Sequence, residues 1–301
     1  MSIASDVRKM SRGWRWTRRP LPPQSAEPHH SFNEPKEFPT DWARSRPARA
    51  AREVLLRGGL NPLVRRETSM RVDGLDIFDD LDGPVILVAN HTSHLDTALL
   101  LTTLPVQWQR KVTVGAAADY FFDAWWRAIG SALVFATFPI ERHGQGLSDT
   151  PTKLVEQGWS IVMFPEGTRS PDGWTRRFKP GAAALARTHG IPVVPVAISG
   201  SFAAMPRGRN WPKPGRPPIH VRYGRPVRPL EGENTLALNG RVSAAISALI
   251  DEADTDWYTA ARRAATETTP PSAGPDVAHW RRVWQSSAGP KTGTTRSKAW
   301  R

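Results

Sequence analysis

The sequence predicts an α/β fold over residues 70–260: one domain with a mixed, largely parallel sheet flanked by helices. Two observations predict it. Between about Met70 and Ala260, short apolar runs alternate with segments of helical period. The polar clusters fall where those apolar runs end, which is where sheets of this class carry their sites.

"PVILVAN" (84–90) reads as a buried strand and "LDTALLLTTL" (95–104) as the helix behind it. "KVTVGAA" (111–117) and "ALVFATFPI" (132–140) are the next strand candidates, followed by "SIVMFPE" beginning at Ser160, "VVPVAIS" (193–199) and "IHVRYG" (219–224). "TKLVEQG" (152–158) and "GAAALARTHG" (181–190) fill the gaps as helices, each closed by a glycine. Val242, Ile246, Leu249, Ile250, Ala253 and Trp257 keep helical spacing and predict a last helix running through Trp257.

Outside this core the composition changes. Residues 1–40 ("RGWRWTRRP", "LPPQSAEPHH") and 261–301 ("TETTPPSAGP") are rich in proline and polar groups, and they predict disordered tails. The absence of cysteine excludes disulfides and cysteine-based zinc sites. The N-terminus lacks the apolar stretch of a secretory signal. The nearest approach to a membrane span, Ala124 to Ile140, holds Arg127 and Pro139, so no transmembrane helix is expected.

A formal charge of +13 calls for an acidic partner: nucleic acid, anionic lipid or a phosphorylated metabolite. Basic groups concentrate in two places. Met1 to Arg66 holds 14 basic residues against 6 acidic ones, and Arg207 to Arg228 has no acidic residue. No recognised nucleic-acid motif accompanies them, so nucleic acid is not expected as a partner, and a basic nucleic-acid-binding protein stands as the alternative of another class.

"ANHTSHLDT" (89–97) places His91, His94 and Asp96 together where a strand gives way to a helix. The spacing is not that of a helical zinc site, and His143, His189 and His220 stand alone, so no metal is expected. A histidine at a strand end can take a proton from a hydroxyl, while a carboxylate one helical turn on holds its other ring nitrogen. A plainer reading makes Ser93 a helix cap and Asp96 a charge favourable to the helix dipole; it accounts for the serine and leaves His91 unexplained. "FPEGTRS" (164–170) ends another strand with Glu166, Gly167, Thr168 and Arg169. Backbone N–H groups, a hydroxyl and a guanidinium in one loop suit a phosphate, although an ordinary surface turn would look similar. "RRFKPG" adds Arg176, Arg177 and Lys179, and "FPIERHG" places Arg142 just past a strand.

Together and in this order, these residues resemble the glycerophospholipid acyltransferase family, whose type member makes phosphatidic acid from 1-acylglycerol 3-phosphate. Its first motif, NHxSxxD, is met by Asn90, His91, Ser93 and Asp96. Its third, FPEGTRS, is met by Phe164 to Ser170, and its fourth by the apolar Val194 to Ile198 around Pro195. The second, GxxFIxR, is altered: Phe138 and Ile140 are separated by Pro139, Arg142 is kept and the glycine is missing.

The resemblance implies a glycerol-phosphate acyltransferase-like fold. It makes His91 the general base and Asp96 its orienting partner. Arg142, Glu166, Gly167, Thr168 and Arg169 would hold the acceptor phosphate and its loop, with Glu166 bracing an arginine or a backbone amide. Asn90, Ser93, Lys179 and Pro195 would support the site. His94 falls on a variable position and receives no role. The acyl donor would be a thioester of CoA or acyl carrier protein, no cofactor is expected, and the lysophospholipid would supply the hydroxyl. Glycerol 3-phosphate or another lysolipid is the alternative acceptor. No acyl-enzyme is required: there is no cysteine, and the nearest approach to a G-x-S-x-G elbow, at Gly158 and Ser160, lacks its last glycine.

Residues 41–69 form a basic amphipathic segment. On a helical projection of 48–58, Ala48, Ala51, Val54, Leu55 and Gly58 share one side; Arg49, Arg52 and Arg57 take the other, with Leu56 as an exception among them. This pattern predicts a helix lying at an anionic membrane surface, peripheral to the cytoplasmic face of the plasma membrane. A helix docked on the domain itself would show a similar pattern.

Overall fold

The computed structural model describes residues 40–117, 125–140 and 149–287. A 3₁₀ turn (Asp41–Arg44) leads into α1 (Arg46–Leu55), a π-helical turn (Leu56–Leu60) and α2 (Asn61–Glu67). Next come β1 (Ser69–Asp73), β2 (Ile86–Ala89), α3 (Leu95–Thr103), α4 (Val106–Gln109) and β3 (Val112–Ala117). The middle of the chain holds α5 (Trp125–Phe135), β4 (Thr137–Ile140), α6 (Asp149–Glu156), β5 (Ser160–Met163) and α7 (Gly181–His189). Then follow β6 (Val193–Ser199), α8 (Ser201–Ala204), β7 (Pro218–Tyr223), α9 (Thr235–Asp254), α10 (Trp257–Ala265) and α11 (His279–Ser287).

The described strands form one sheet in the order β1-β7-β6-β2-β5-β3-β4, parallel throughout except where β7 runs antiparallel to β6. The predicted mixed, largely parallel sheet is therefore the observed one. Strand β2 shows why it lies at the centre. Its residues are buried on both faces, with Leu87 and Ala89 in one apolar cluster and Ile86 and Val88 in the other. Helix α3 covers the first face through Leu99 and Leu100; α6, α7 and α9 cover the second through Leu154, Leu185, Leu238, Val242 and Ile246. Pro139 has no N–H to donate, and it is accommodated because β4 is an edge strand, paired among the described strands only with β3.

Four expectations need correction. "ALVFATFPI" is not one strand: its first four residues finish α5, Ala136 turns the chain with φ 51°, and only Thr137–Ile140 is β4. The last long helix stops at Asp254. Trp257 opens a separate helix, capped by Asp256, whose Oδ1 accepts the Thr259 N–H at 2.9 Å, and it is exposed.

The third correction takes three residues of the amphipathic segment out of the surface: Ala48 from its apolar side, and Arg52 and Leu56 from its basic side. Its inward side is Ala48, Arg52, Leu56 and, in α2, Val64, all buried; Val54 is 71% exposed, and Ala50, Ala51, Leu55 and Leu63 also face outward. The reason lies in another helix. Arg52 donates to the carbonyls of Ala132 (3.1 Å) and Leu133 (2.7 Å) in the last turn of α5, and to Ala43 O at 2.6 Å. The last carbonyls of a helix lack partners within it and carry its negative dipole end, so a guanidinium is a favourable lid. Burial, with Arg44 and Arg49 nearby, lowers the Arg52 pKa to about 10, and the group remains charged at neutral pH. The fourth concerns the C-terminal tail expected from residue 261. Through Ser287 that segment is structured as α10, a turn and α11. The expected N-terminal tail lies outside the described residues up to position 39.

Candidate active site

The motif residues meet at the carboxyl ends of β2 and β5, which are adjacent parallel strands. Asn90 follows β2 and extends its pairing by side chain: its Nδ2 donates to Ile198 O (2.9 Å) and its Oδ1 accepts from Ile198 N (2.8 Å). The carboxamide thus copies a peptide group and ties the loop to β6. Pro195 lies within β6, opposite Val88 of β2. Ser93, fully buried, donates to Met205 O (2.8 Å) and accepts from Leu95 N (3.1 Å), so it holds the turn one residue before the N-cap of α3, His94, and pins it to the segment after α8.

Asp96, also fully buried in the first turn of α3, points back into the loop. Its Oδ2 accepts the N–H groups of Thr92 (2.7 Å) and Ser93 (2.8 Å) and lies 3.0 Å from His91 Nδ1. An oxygen already accepting two amides acts as an acceptor toward the ring as well. The network therefore assigns the proton to Nδ1 and leaves Nε2 as the basic nitrogen. The other carboxylate oxygen, Oδ1, is buried without a hydrogen-bond partner. Phe164 stacks on the imidazole at 4.1 Å between centroids with planes 23° apart, fixing the ring from one side.

Glu166 joins the two motifs. Its Oε1 accepts His91 N (2.7 Å) and its Oε2 accepts Arg176 N (3.0 Å). Burial pushes its carboxyl up to about 8; the two backbone donors oppose that rise, and the charge of Asp96 adds to it. Glu166 therefore braces backbone amides beneath the site and does not face a phosphate. Ser170 adds a further tie, its N–H donating to His91 O at 2.8 Å.

Gly167, Thr168 and Arg169 are half-buried around the rim. Lys179 lies over Gly167 so closely that a Cβ there would come within 3.2 Å of its Cε and Nζ. His94 shares this rim. Burial and the charge of Arg169, helped by His91 and Arg207, lower its pKa to about 4, so it is neutral at neutral pH. Arg142 lies outside the described residues. Among the described residues no group of three or more His, Cys, Asp or Glu is placed to hold a metal ion. Reading residue types missed Phe164 as the stacking partner and Ser170 as the tie to His91. Both stood in the quoted motif, but only coordinates show which backbone atoms it reaches.

Residues 65–199 match the Acyltransferase family model. The match covers less than half of the chain. A chloroplastic 1-acyl-sn-glycerol-3-phosphate acyltransferase of Brassica napus is 32% identical over 142 residues, 46% of this chain and 39% of that protein. The enzyme of the same name from Escherichia coli (strain K12) is 31% identical over 121 residues, 39% of this chain and 47% of that one. The chain thus spans half or less of the length of these curated relatives. The crystal structure of the 1-acyl-sn-glycerophosphate acyltransferase of Thermotoga maritima shares the acyltransferase fold: TM-score 0.54, 23% identity, covering 72% of this chain and 88% of that one.

Proposed function

We propose that this protein is an O-acyltransferase that moves an acyl chain from a thioester to the free hydroxyl of 1-acylglycerol 3-phosphate, giving phosphatidic acid. The observation that carries the reading is the His91–Asp96 pair, with Nδ1 held at 3.0 Å and Nε2 left as base, on a loop locked to the FPEGTRS segment through Glu166. Nε2 of His91 takes the hydroxyl proton as the oxygen attacks the thioester carbonyl. The tetrahedral adduct collapses, the C–S bond breaks, and the imidazolium returns its proton to the leaving thiolate. Asp96 stabilises the imidazolium between these steps. Arg169, with Arg142, receives the acceptor phosphate, and the donor is the thioester of CoA or of acyl carrier protein. Radiolabelled acyl-CoA offered with 1-acylglycerol 3-phosphate, glycerol 3-phosphate and lysophospholipids of larger headgroup tests the acceptor. Label entering phosphatidic acid at the highest kcat/KM supports the reading; preference for a bulkier lysolipid overturns it.

The outward face of α1 and α2 supplies the membrane contact in this reading. Ala51, Val54, Leu55 and Leu63 are exposed beside Arg46, Arg57, Arg65 and Arg66. Apolar groups enter the headgroup region while the guanidinium groups meet anionic lipid, giving peripheral attachment to the cytoplasmic face of the plasma membrane. Among the described residues no helix is long and apolar enough to cross a membrane.

A further inference from the structure

The family match ends at Ser199, yet the chain returns to the site far downstream. Residues 271–287 lie across the loop that follows FPEGTRS. Thr175 N donates to Ser272 O (3.1 Å), and Trp174 Nε1 donates to Arg282 O (3.2 Å). Trp174 sits so close over Gly274 (φ 76°) that a Cβ there would come within 2.2 Å of its ring; only glycine fits. Arg282 is the centre of the contact. Its Nε donates to Asp172 Oδ2 at 2.6 Å, while its terminal nitrogens take Pro275 O (2.6 Å) and Ala273 O (2.7 Å). Ser286 Oγ donates to the backbone carbonyl of Asp172.

From Asp172 the connections lead inward. Its Oδ1 accepts from Ser170 Oγ (3.0 Å) and Trp174 N (3.2 Å), and Ser170 N donates to His91 O at 2.8 Å. At the far end of the same loop, Arg176 N shares the Glu166 carboxylate with His91 N. Burial acts to raise the Asp172 pKa, but Arg282, the Trp174 N–H and the Ser170 hydroxyl outweigh it and hold the carboxyl below the usual range. The pair is therefore ionised at neutral pH. One end of the loop holds the His91 backbone directly, the other reaches it through Glu166, and the C-terminal segment grips its middle.

We propose that Arg282 is a positioning residue for His91, acting through Asp172 and Ser170, and that residues 271–287 form a strap that completes the catalytic loop from outside the family domain. Between β5 and α7 the loop has no helix or strand of its own, and the strap holds its middle. Misplacing a reacting group by about 1 Å can cost on the order of 10²-fold in rate. The kinetic part of this inference rests on the proposed acyl transfer; the structural part does not.

Two measurements on the full chain test it, comparing wild type with Arg282→Ala and Arg282→Lys. Amide hydrogen exchange without substrate should rise in Arg282→Ala at residues 91–93 and 170–176, while β5 and β6 keep their protection. In transfer from acyl-CoA to 1-acylglycerol 3-phosphate, kcat should fall about tenfold or more while both KM values stay within about twofold. Arg282→Lys should recover part of kcat, because an ammonium can still reach Asp172 although it cannot also span the two carbonyls. A folded Arg282→Ala with wild-type kcat overturns the proposal, as does faster exchange confined to residues 271–287. If the wild type transfers no acyl group, the proposed reaction fails, and exchange alone still decides the strap.

Discussion

Asp96 Oδ2 collects two backbone amides and the His91 ring, and this sharing makes its replacement informative. In Asp96→Asn, the amide oxygen can take the place of Oδ2 and accept the same three donors, but it carries no negative charge, and the NH₂ falls where Oδ1 has no partner. The imidazolium then loses the negative charge that stabilises it, and kcat should fall roughly 10²–10⁴-fold with little change in melting temperature. His94→Ala, measured beside it, should retain most activity, because His94 is neutral and has no place in the proton transfer. Glu166 supplies a pH signature. The unfolded chain releases this proton near 4.5, whereas the folded protein keeps it to about 8. The folded state thus binds more protons across that window, and stability falls as pH rises, by about 1.4 kcal/mol per pH unit. His94 has the opposite sign: its folded pKa of about 4 lies below 6.5, so its contribution rises with pH between those values. The two offset one another below 6.5, leaving Glu166 alone above it. Thermal melts should show stability declining from pH 6.5 to 8 and level beyond, and Glu166→Gln should remove that decline. A decline that persists in Glu166→Gln would assign it to another group.

Helix α1 teaches a different lesson, since its amphipathic pattern was legible and the burial of Arg52 was not. Arg52 looked like part of a solvated basic face, but its partners are carbonyls in α5, roughly eighty residues away in sequence. Nothing local records such a partner. Arg52→Ala should destabilise the fold by about 2–3 kcal/mol, because buried carbonyls lose a charged donor, and denaturant titration measures it. An unchanged midpoint would mean that water replaces the guanidinium. The same limit hid the strap: its prolines and small polar residues read as a tail, and its order comes from Arg282 and Ser286 meeting one distant aspartate. By contrast β2, α3, α7 and β6 were readable because each combines one apolar period with a clear stop. The apolar run before β4 fits a helix end and a strand equally well, and Ala136 at φ 51° divides it with no glycine to mark the place. His91 and Asp96 were readable through the family resemblance of their motif; their spacing alone left a helix cap as the plainer reading.

At the scale of the molecule, a charge of +13 and an outward apolar face on α1 and α2 act together. Val54→Glu with Leu55→Glu leaves the buried Arg52, Leu56 and Val64 untouched, so the fold should survive. Co-sedimentation with anionic vesicles should weaken tenfold or more, at roughly 1.5–3 kcal/mol for each large apolar group no longer buried in lipid. Undiminished binding would move the contact to another surface, with Arg207 to Arg228 the next to test. The central claim is that His91 is the base of an acyl transfer to 1-acylglycerol 3-phosphate. Its most direct test is initial-rate transfer from labelled acyl-CoA, comparing wild type with His91→Ala of unchanged circular dichroism and melting temperature. The account predicts phosphatidic acid from the wild type and a loss of roughly 10²–10⁴-fold in kcat for the variant. Wild-type turnover by folded His91→Ala would contradict it.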